Sequence, residues 1–440
     1  MGIRFAEAQF ALPSVRRFLA DITSELASRR NVVVLLPRQV TAERFAEVLW
    51  EELERRTFDC GEIRLPARPP QGSPELLICR HFSIPVESPD PDDLIAALHE
   101  SPSLPQVTFL KGLDAMDWTA RQQWLSFLTR FAQARSTISV SRQTGTTMCV
   151  VAAAAPLLPI LPEPDAALVF RWWWGFPSNL EIHFLCREVA GEPDGPASQW
   201  REAVLVALAG TDAALLDYLW SDSDDSLENK KELLAWWAEQ LGWRFESLDE
   251  NGSTKVSGLL DSHGRSPAPP LRYRQLWAQG ALYSTVDGGI CLHPAALQIT
   301  HREHQLNHRL WAAQSSLVLS WLNLVRLRVC EILSAKYPAD WARRWSLPTD
   351  SRQAERLDES SMHCEWSHLK HLLANQYELR SERGLLPLVE KAHTLRNRLA
   401  HQLLVSLEDV REFWAEALRT LPPDGIKADG RSKSVAGWNA

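Results

Sequence analysis

Val32-Val33-Val34-Leu35-Leu36, followed by Pro37-Arg38-Gln39-Val40-Thr41-Ala42-Glu43-Arg44, is the stretch on which the reading of the first half of the chain turns. Five apolar residues led by three valines form a strand buried on both faces, and Phe45, Val48, Leu49 and Leu53 then repeat at helical spacing. The alternation recurs downstream. Leu76-Leu77-Ile78-Cys79, Val107-Thr108-Phe109-Leu110 and Met148-Cys149-Val150-Val151 read as further strands, and Trp124, Leu125, Leu128 and Phe131 mark a helix between the last two. Continuous apolar strands separated by helices predict an α/β domain over residues 1–190, with a parallel sheet covered on both faces.

The whole chain has 440 residues, 45% hydrophobic and 23% charged, more than one hydrophobic core usually holds, so two or three domains are expected. A net charge of −8 excludes a polyanion binder held by bulk charge. The charge is uneven: residues 301–440 carry twenty Lys and Arg against seventeen Asp and Glu, a net of +3 that leaves −11 for residues 1–300. The longest apolar stretch, Met148 to Pro162, contains Pro156 and Pro159 and falls short of the ~20 residues a membrane span needs, so no membrane partner is expected. Met1 to Phe10 shows no basic segment leading into an apolar one, which fits a cytoplasmic protein. Seven scattered cysteines, none in a C-x-x-C pair, indicate neither a disulfide framework nor a zinc site. Nineteen Trp, including the run Trp172-Trp173-Trp174, are assigned to packing.

The order of elements in residues 1–190 resembles the P-loop ATPases of the AAA and signal-transduction type. The chemistry does not follow. A phosphate loop needs Gly-rich backbone and a Lys, and the segment after the first strand has neither. The strand at 107–110 is followed by Lys111 rather than by an acidic metal ligand, with Asp114 and Asp117 as the nearest substitutes. The expectation is a degenerate, nucleotide-free ATPase-like domain without ATPase activity, and no cofactor or metal is expected elsewhere.

Gly191 to Ala197 concentrates turn formers and reads as a linker. Residues 198–300 contain a helix near Lys231–Leu241 and a hairpin, Leu282 to Val286 and Ile290 to His293 across Asp287-Gly288-Gly289. This arrangement resembles a helical or winged-helix connector. Without a basic recognition helix it reads as a spacer and not as a DNA reader.

Residues 305–421 read as an all-α four-helix bundle. A long apolar-rich helix runs from Gln305 to Tyr337, a second covers Met362 to Tyr377, a third Leu385 to Leu404, and Ser406 with Asp409 opens a fourth through a capping box. Residues 422–440 read as a disordered tail. In the third helix the chain reads His393-Thr394-Leu395-Arg396-Asn397-Arg398-Leu399-Ala400-His401, with His393, Asn397 and His401 along one face and Arg396 at its edge. Arg396-Asn397 followed by His401 matches the Arg, polar and His signature of the HEPN superfamily, which the bundle thereby resembles. The resemblance implies metal-independent RNA cleavage, with Arg396 on the scissile phosphate, His401 as acid or base and Asn397 as the orienting group. It also implies a homodimer through the bundle.

Combining a decayed ATPase core with a HEPN-like domain suggests antiviral defence. One expectation is an endoribonuclease acting on RNA under the control of the N-terminal sensor. The other is a non-catalytic assembly or adaptor subunit that binds protein partners in a phage-defence complex.

Overall fold

The structure is a computed structural model that describes residues 4–67, 72–135, 146–163, 166–253, 256, 268–285, 289–345 and 351–421. The tail expected from 422 onward, and the turn at 286–288, lie outside the described residues. The chain divides into two compact units. The first comprises Met1–Leu185, Gly210–Asp217 and Ala235–Thr300; the second comprises Cys186–Ala209, Tyr218–Leu234 and His301–Ala440. Residues 198–300 are thus shared between the two.

The first unit is built on a five-stranded parallel sheet in the order β2-β3-β4-β1-β5. Strand β1, Asn31–Leu36, is buried at every position and lies between β4, Thr147–Ala153, and β5, Leu168–Trp172. A run of Val and Leu suits this central place, where both faces meet helices. Strand β3 is Val107–Lys111, and β2, Cys60–Arg64, forms an edge with mostly half-exposed residues. Helices α1 (Pro13–Ala27), α2 (Ala42–Arg55), α3 (Pro74–His81), α4 (Pro91–Glu100) and α5 (Trp118–Ala134) accompany the sheet.

One strand expectation fails: Leu76-Leu77-Ile78-Cys79 lies in α3. Ser73 caps this helix by accepting from the Leu76 amide at 3.4 Å, and Pro74 occupies its first position. A four-residue apolar run fits a buried helix as well as a strand, and the cap decides for the helix. The hairpin is present, with β6 (Leu282–Ser284) antiparallel to β7 (Ile290–Leu292). Trp172, Trp173 and Trp174 are all buried, and Trp173 packs edge-on against Phe10, Phe18 and Phe45.

The second unit is helical. Its pieces are α6 (Pro196–Ala209), parts of α7 (Ala213–Ser221) and α8 (Leu227–Gln240), the 34-residue α9 (Glu303–Lys336), α10 (Trp366–Asn375), α11 (Leu386–Ala400) and α12 (Leu407–Thr420). Helix α6 packs on α9 and α12, so the C-terminal helices bury their apolar faces against a segment from the middle of the sequence. Trp200, Val204, Leu205 and Leu208 of α6 are each no more than 1% exposed, as expected of a helix enclosed on several sides. Among the described residues no helix is long and apolar enough to cross a membrane.

Candidate functional site

Helix α11 turns Leu388, Val389, Ala392, Leu395 and Leu399 into the bundle core. This fixes the opposite face, where His393 and Asn397 stand one turn apart. The Asn397 Nδ2 lies 3.1 Å from the His393 Nε2, and the Asn397 Oδ1 accepts from Arg396 Nη1 at 3.3 Å. The amide therefore draws the exposed Arg396 guanidinium from the edge of the stripe onto it. Burial, then the charges of Lys370 and Arg396, push the His393 imidazole below its ordinary value. A neutral ring with a free lone pair on Nε2 is what the Asn397 amide requires as acceptor.

The helix ends at Ala400, earlier than the Leu404 expected, so His401 is its C-terminal cap and not an interior residue. The cause is Gln402, which adopts a positive φ of 58° and turns the chain out of the helix. Two bonds close that turn: the Gln402 amide donates to the Leu399 carbonyl at 3.1 Å and the Leu403 amide to the Arg398 carbonyl at 2.8 Å. Side chains then pin the exit. Trp311 Nε1 donates to the Leu399 carbonyl at 2.7 Å, and the buried Gln314 amide bonds both the N–H and the C=O of Val405 at 2.9 Å. Arg398 donates to the Leu404 carbonyl at 2.7 Å and to Asp409 at 2.8 Å. Asp409 in turn completes the capping box with Ser406 that the sequence indicated.

Arg396 and Asn397 are thus joined, and His401 stands one turn beyond them with its backbone amide bonded to the Asn397 carbonyl at 3.0 Å. Among the described residues no hydrogen bond links the His401 imidazole to either side chain. Both Arg396 and His401 are exposed. Sequence reading did not find Trp311, Gln314 or Arg398, because their role depends on partners 88, 91 and 11 residues away.

The other groups weighed from sequence are occupied structurally. Cys364 is fully buried and its thiol is raised well above its ordinary value, chiefly by that burial; His368 is buried, with its imidazole pushed down by desolvation. His363 bonds the Arg356 carbonyl through Nδ1 at 3.0 Å. Among the described residues no group of three or more His, Cys, Asp or Glu is placed to hold a metal ion.

In the first unit, the segment after β1 is engaged by its own chain. The Arg38 amide donates to the Ala278 carbonyl at 3.0 Å, and the Gln39 amide group lies over Gly280, whose φ is +84° and where a Cβ would stand 2.0 Å from Gln39 Oε1. Lys111 pairs with Glu62 at 2.6 Å, Asp114 accepts from the Ala153 amide at 3.0 Å, and Asp117 caps α5 by accepting from the Ala120 amide at 2.8 Å. A helix cap and a loop tie account for both carboxylates considered as metal ligands. No family model matches the chain, and neither a curated protein nor a solved structure does.

Proposed function

We propose that the helical unit is a metal-independent endoribonuclease of the HEPN type, acting in antiviral defence under the control of a nucleotide-free, ATPase-like N-terminal unit. The observation that carries this reading is the contrast within one turn of α11: the backbone of 399–405 is held by Trp311, Gln314 and Arg398, while Arg396 and His401 spend their side chains on solvent. A group held in place and left free of packing is what proton transfer to a bound substrate requires.

The chemistry follows from the residue types. The ribose 2′-oxygen attacks the adjacent phosphorus as its proton leaves, and the 5′-oxygen departs with a proton, giving a 2′,3′-cyclic phosphate and a 5′-hydroxyl. His401 carries one of these proton transfers, a contribution of about 10²–10⁴ in rate for a positioned imidazole. Arg396 stabilises the charge that builds on the phosphoryl oxygens, and Asn397 keeps the guanidinium over the stripe. A homodimer through the bundle would supply a second copy of each group for the other transfer. The test is an RNA oligonucleotide with one 2′-deoxy substitution at the mapped cleavage position, incubated in EDTA. The reading expects cyclic-phosphate ends from the all-ribose strand and none at the substituted position, whereas cleavage there would require a different attacking group.

The adaptor reading has its own observation. From Leu310 to Val325 helix α9 carries no charged residue, yet Leu319 and Leu324 are 43% and 51% exposed. An uncharged helix face of that length suits a protein partner. Inactivity of the wild-type protein toward RNA, with α9 substitutions abolishing capture of a defence-complex subunit, favours it.

A further inference from the structure

A small cavity in the first unit lies outside the carboxyl ends of β1 and β5, where open parallel sheets place their ligands. Its walls include Trp173, Trp174, Phe176, Trp277, Tyr283 and the carboxylate-bearing Asp212, with Gln39 reaching in from the segment after β1. The Asp212 side chain is 1% exposed. One of its oxygens accepts from the Ala214 and Leu215 amides at 3.0 Å, and the other accepts from Trp237 Nε1 at 3.1 Å.

What this carboxylate lacks is a counter-charge. Among the described residues no Lys or Arg pairs with it, and its one basic neighbour is His293, with Nε2 at 3.4 Å. The His293 Nδ1 accepts from the Ala295 amide at 3.2 Å, so the ring holds its single proton on Nε2 and brings no charge. The Gln39 Oε1 is also buried without a donor. A buried carboxylate without a cation and an amide oxygen without a donor are two independent vacancies in one aromatic wall. A cation with an N–H and apolar groups fills both, because aromatic faces attract cations and its alkyl surface prefers an apolar site.

Size sets the rest. The centre of a water molecule can range over about 20 Å³ of the cavity, which corresponds to a void roughly 3 Å in radius. That holds a methylated ammonium group and excludes a nucleoside. We propose that this cavity binds a small alkylammonium ion, of the size of methylammonium or dimethylammonium, at the place where the sheet topology would otherwise put a nucleotide. The site is independent of the nuclease reading.

The full-length protein is titrated with dimethylammonium chloride, followed by saturation-transfer NMR of the ligand methyls, against sodium chloride at equal ionic strength and against propan-2-ol, a neutral molecule of the same size. So small an ion binds no tighter than about millimolar. The expected result is saturable binding of dimethylammonium, at least ~10-fold weaker binding of propan-2-ol, and a loss of at least ~5-fold in Gln39→Leu. Asp212→Asn should abolish binding, and if that variant does not fold, Gln39→Leu and the neutral analogue decide. A dimethyl-lysine peptide is the second arm: tighter binding than the free ion assigns the site to a lysine side chain, and equal or weaker binding assigns it to a free amine. Equal signals from dimethylammonium and propan-2-ol, or none from dimethylammonium, would overturn the proposal.

Discussion

Replacing Gln314 by Leu tests whether the exit of α11 is fixed in the way the hydrogen bonds imply. The substitution keeps the volume roughly and removes both bonds to Val405, a residue that is 0% exposed. An N–H and a C=O are then buried without partners, each costing about 1–3 kcal/mol. Some water will reach the loop as it loosens, so a local destabilisation of about 2–4 kcal/mol is expected. In amide hydrogen exchange of the full chain, the Val405 amide should therefore exchange about 30- to 700-fold faster than in the wild type, from that range at 1.4 kcal/mol per decade. Arg396→Ala, an exposed side chain, should leave the same amide unchanged. Wild-type protection at Val405 in Gln314→Leu would refute the pinning argument, and with it the claim that His401 stands on a rigid support.

Further expectations concern the packing around the two sites. His99 is 2% exposed, stacks on Phe131 at 4.0 Å and bonds the Phe131 carbonyl at 2.9 Å; burial is the main cause that lowers its pKa to about 4. The unfolded chain then binds a proton below about pH 6.5 that the folded chain refuses until about pH 4, so stability present above pH 6.5 falls by up to about 3 kcal/mol across that window. Urea unfolding of the first unit at pH 7 and pH 4 should show a smaller loss for His99→Gln than for the wild type. Lys230, 0% exposed, bonds Asp222 at 2.7 Å and the carbonyls of Leu219 and Asp222. Its hydrogen bond is the largest cause holding the Asp222 carboxyl below its ordinary value. Lys230→Met should cost the second unit about 3 kcal/mol, read as a lower denaturation midpoint, because three acceptors lose their donor. Asp409→Asn weakens both the capping box and the Arg398 pair, and a loss of about 1–2 kcal/mol is expected in the same measurement.

How far the sequence could be read depended on where each segment ended up. Val32 to Leu36 announced itself because a central parallel strand must be apolar on both faces. Strand β2, Cys-Gly-Glu-Ile-Arg at 60–64, sits at an edge and has no such pattern to show. The four residues at 76–79 carried too few turns of either period, although the Ser73-Pro74 start was already visible. Helix α6 has a clear helical repeat, but no local signal said that Trp200 and its neighbours would pack against helices more than a hundred residues later. On α11 the spacing of His393, Asn397 and His401 was legible because helical geometry alone sets it. The end of the helix at Ala400 was not, since Gln402 takes the left-handed position that Gly usually marks. The void beside Asp212 was invisible, because its walls come from five separate stretches of chain.

Incubation of purified wild-type, Arg396→Ala and His401→Ala proteins with labelled tRNA and total RNA in EDTA, alongside measurement of their oligomeric mass, bears most directly on the assignment of α11 as a nuclease site. The account predicts cleavage by the wild type, a loss of at least ~100-fold in each variant, and one common mass. Equal cleavage by all three proteins would contradict it, as would cleavage lost only together with the assembly.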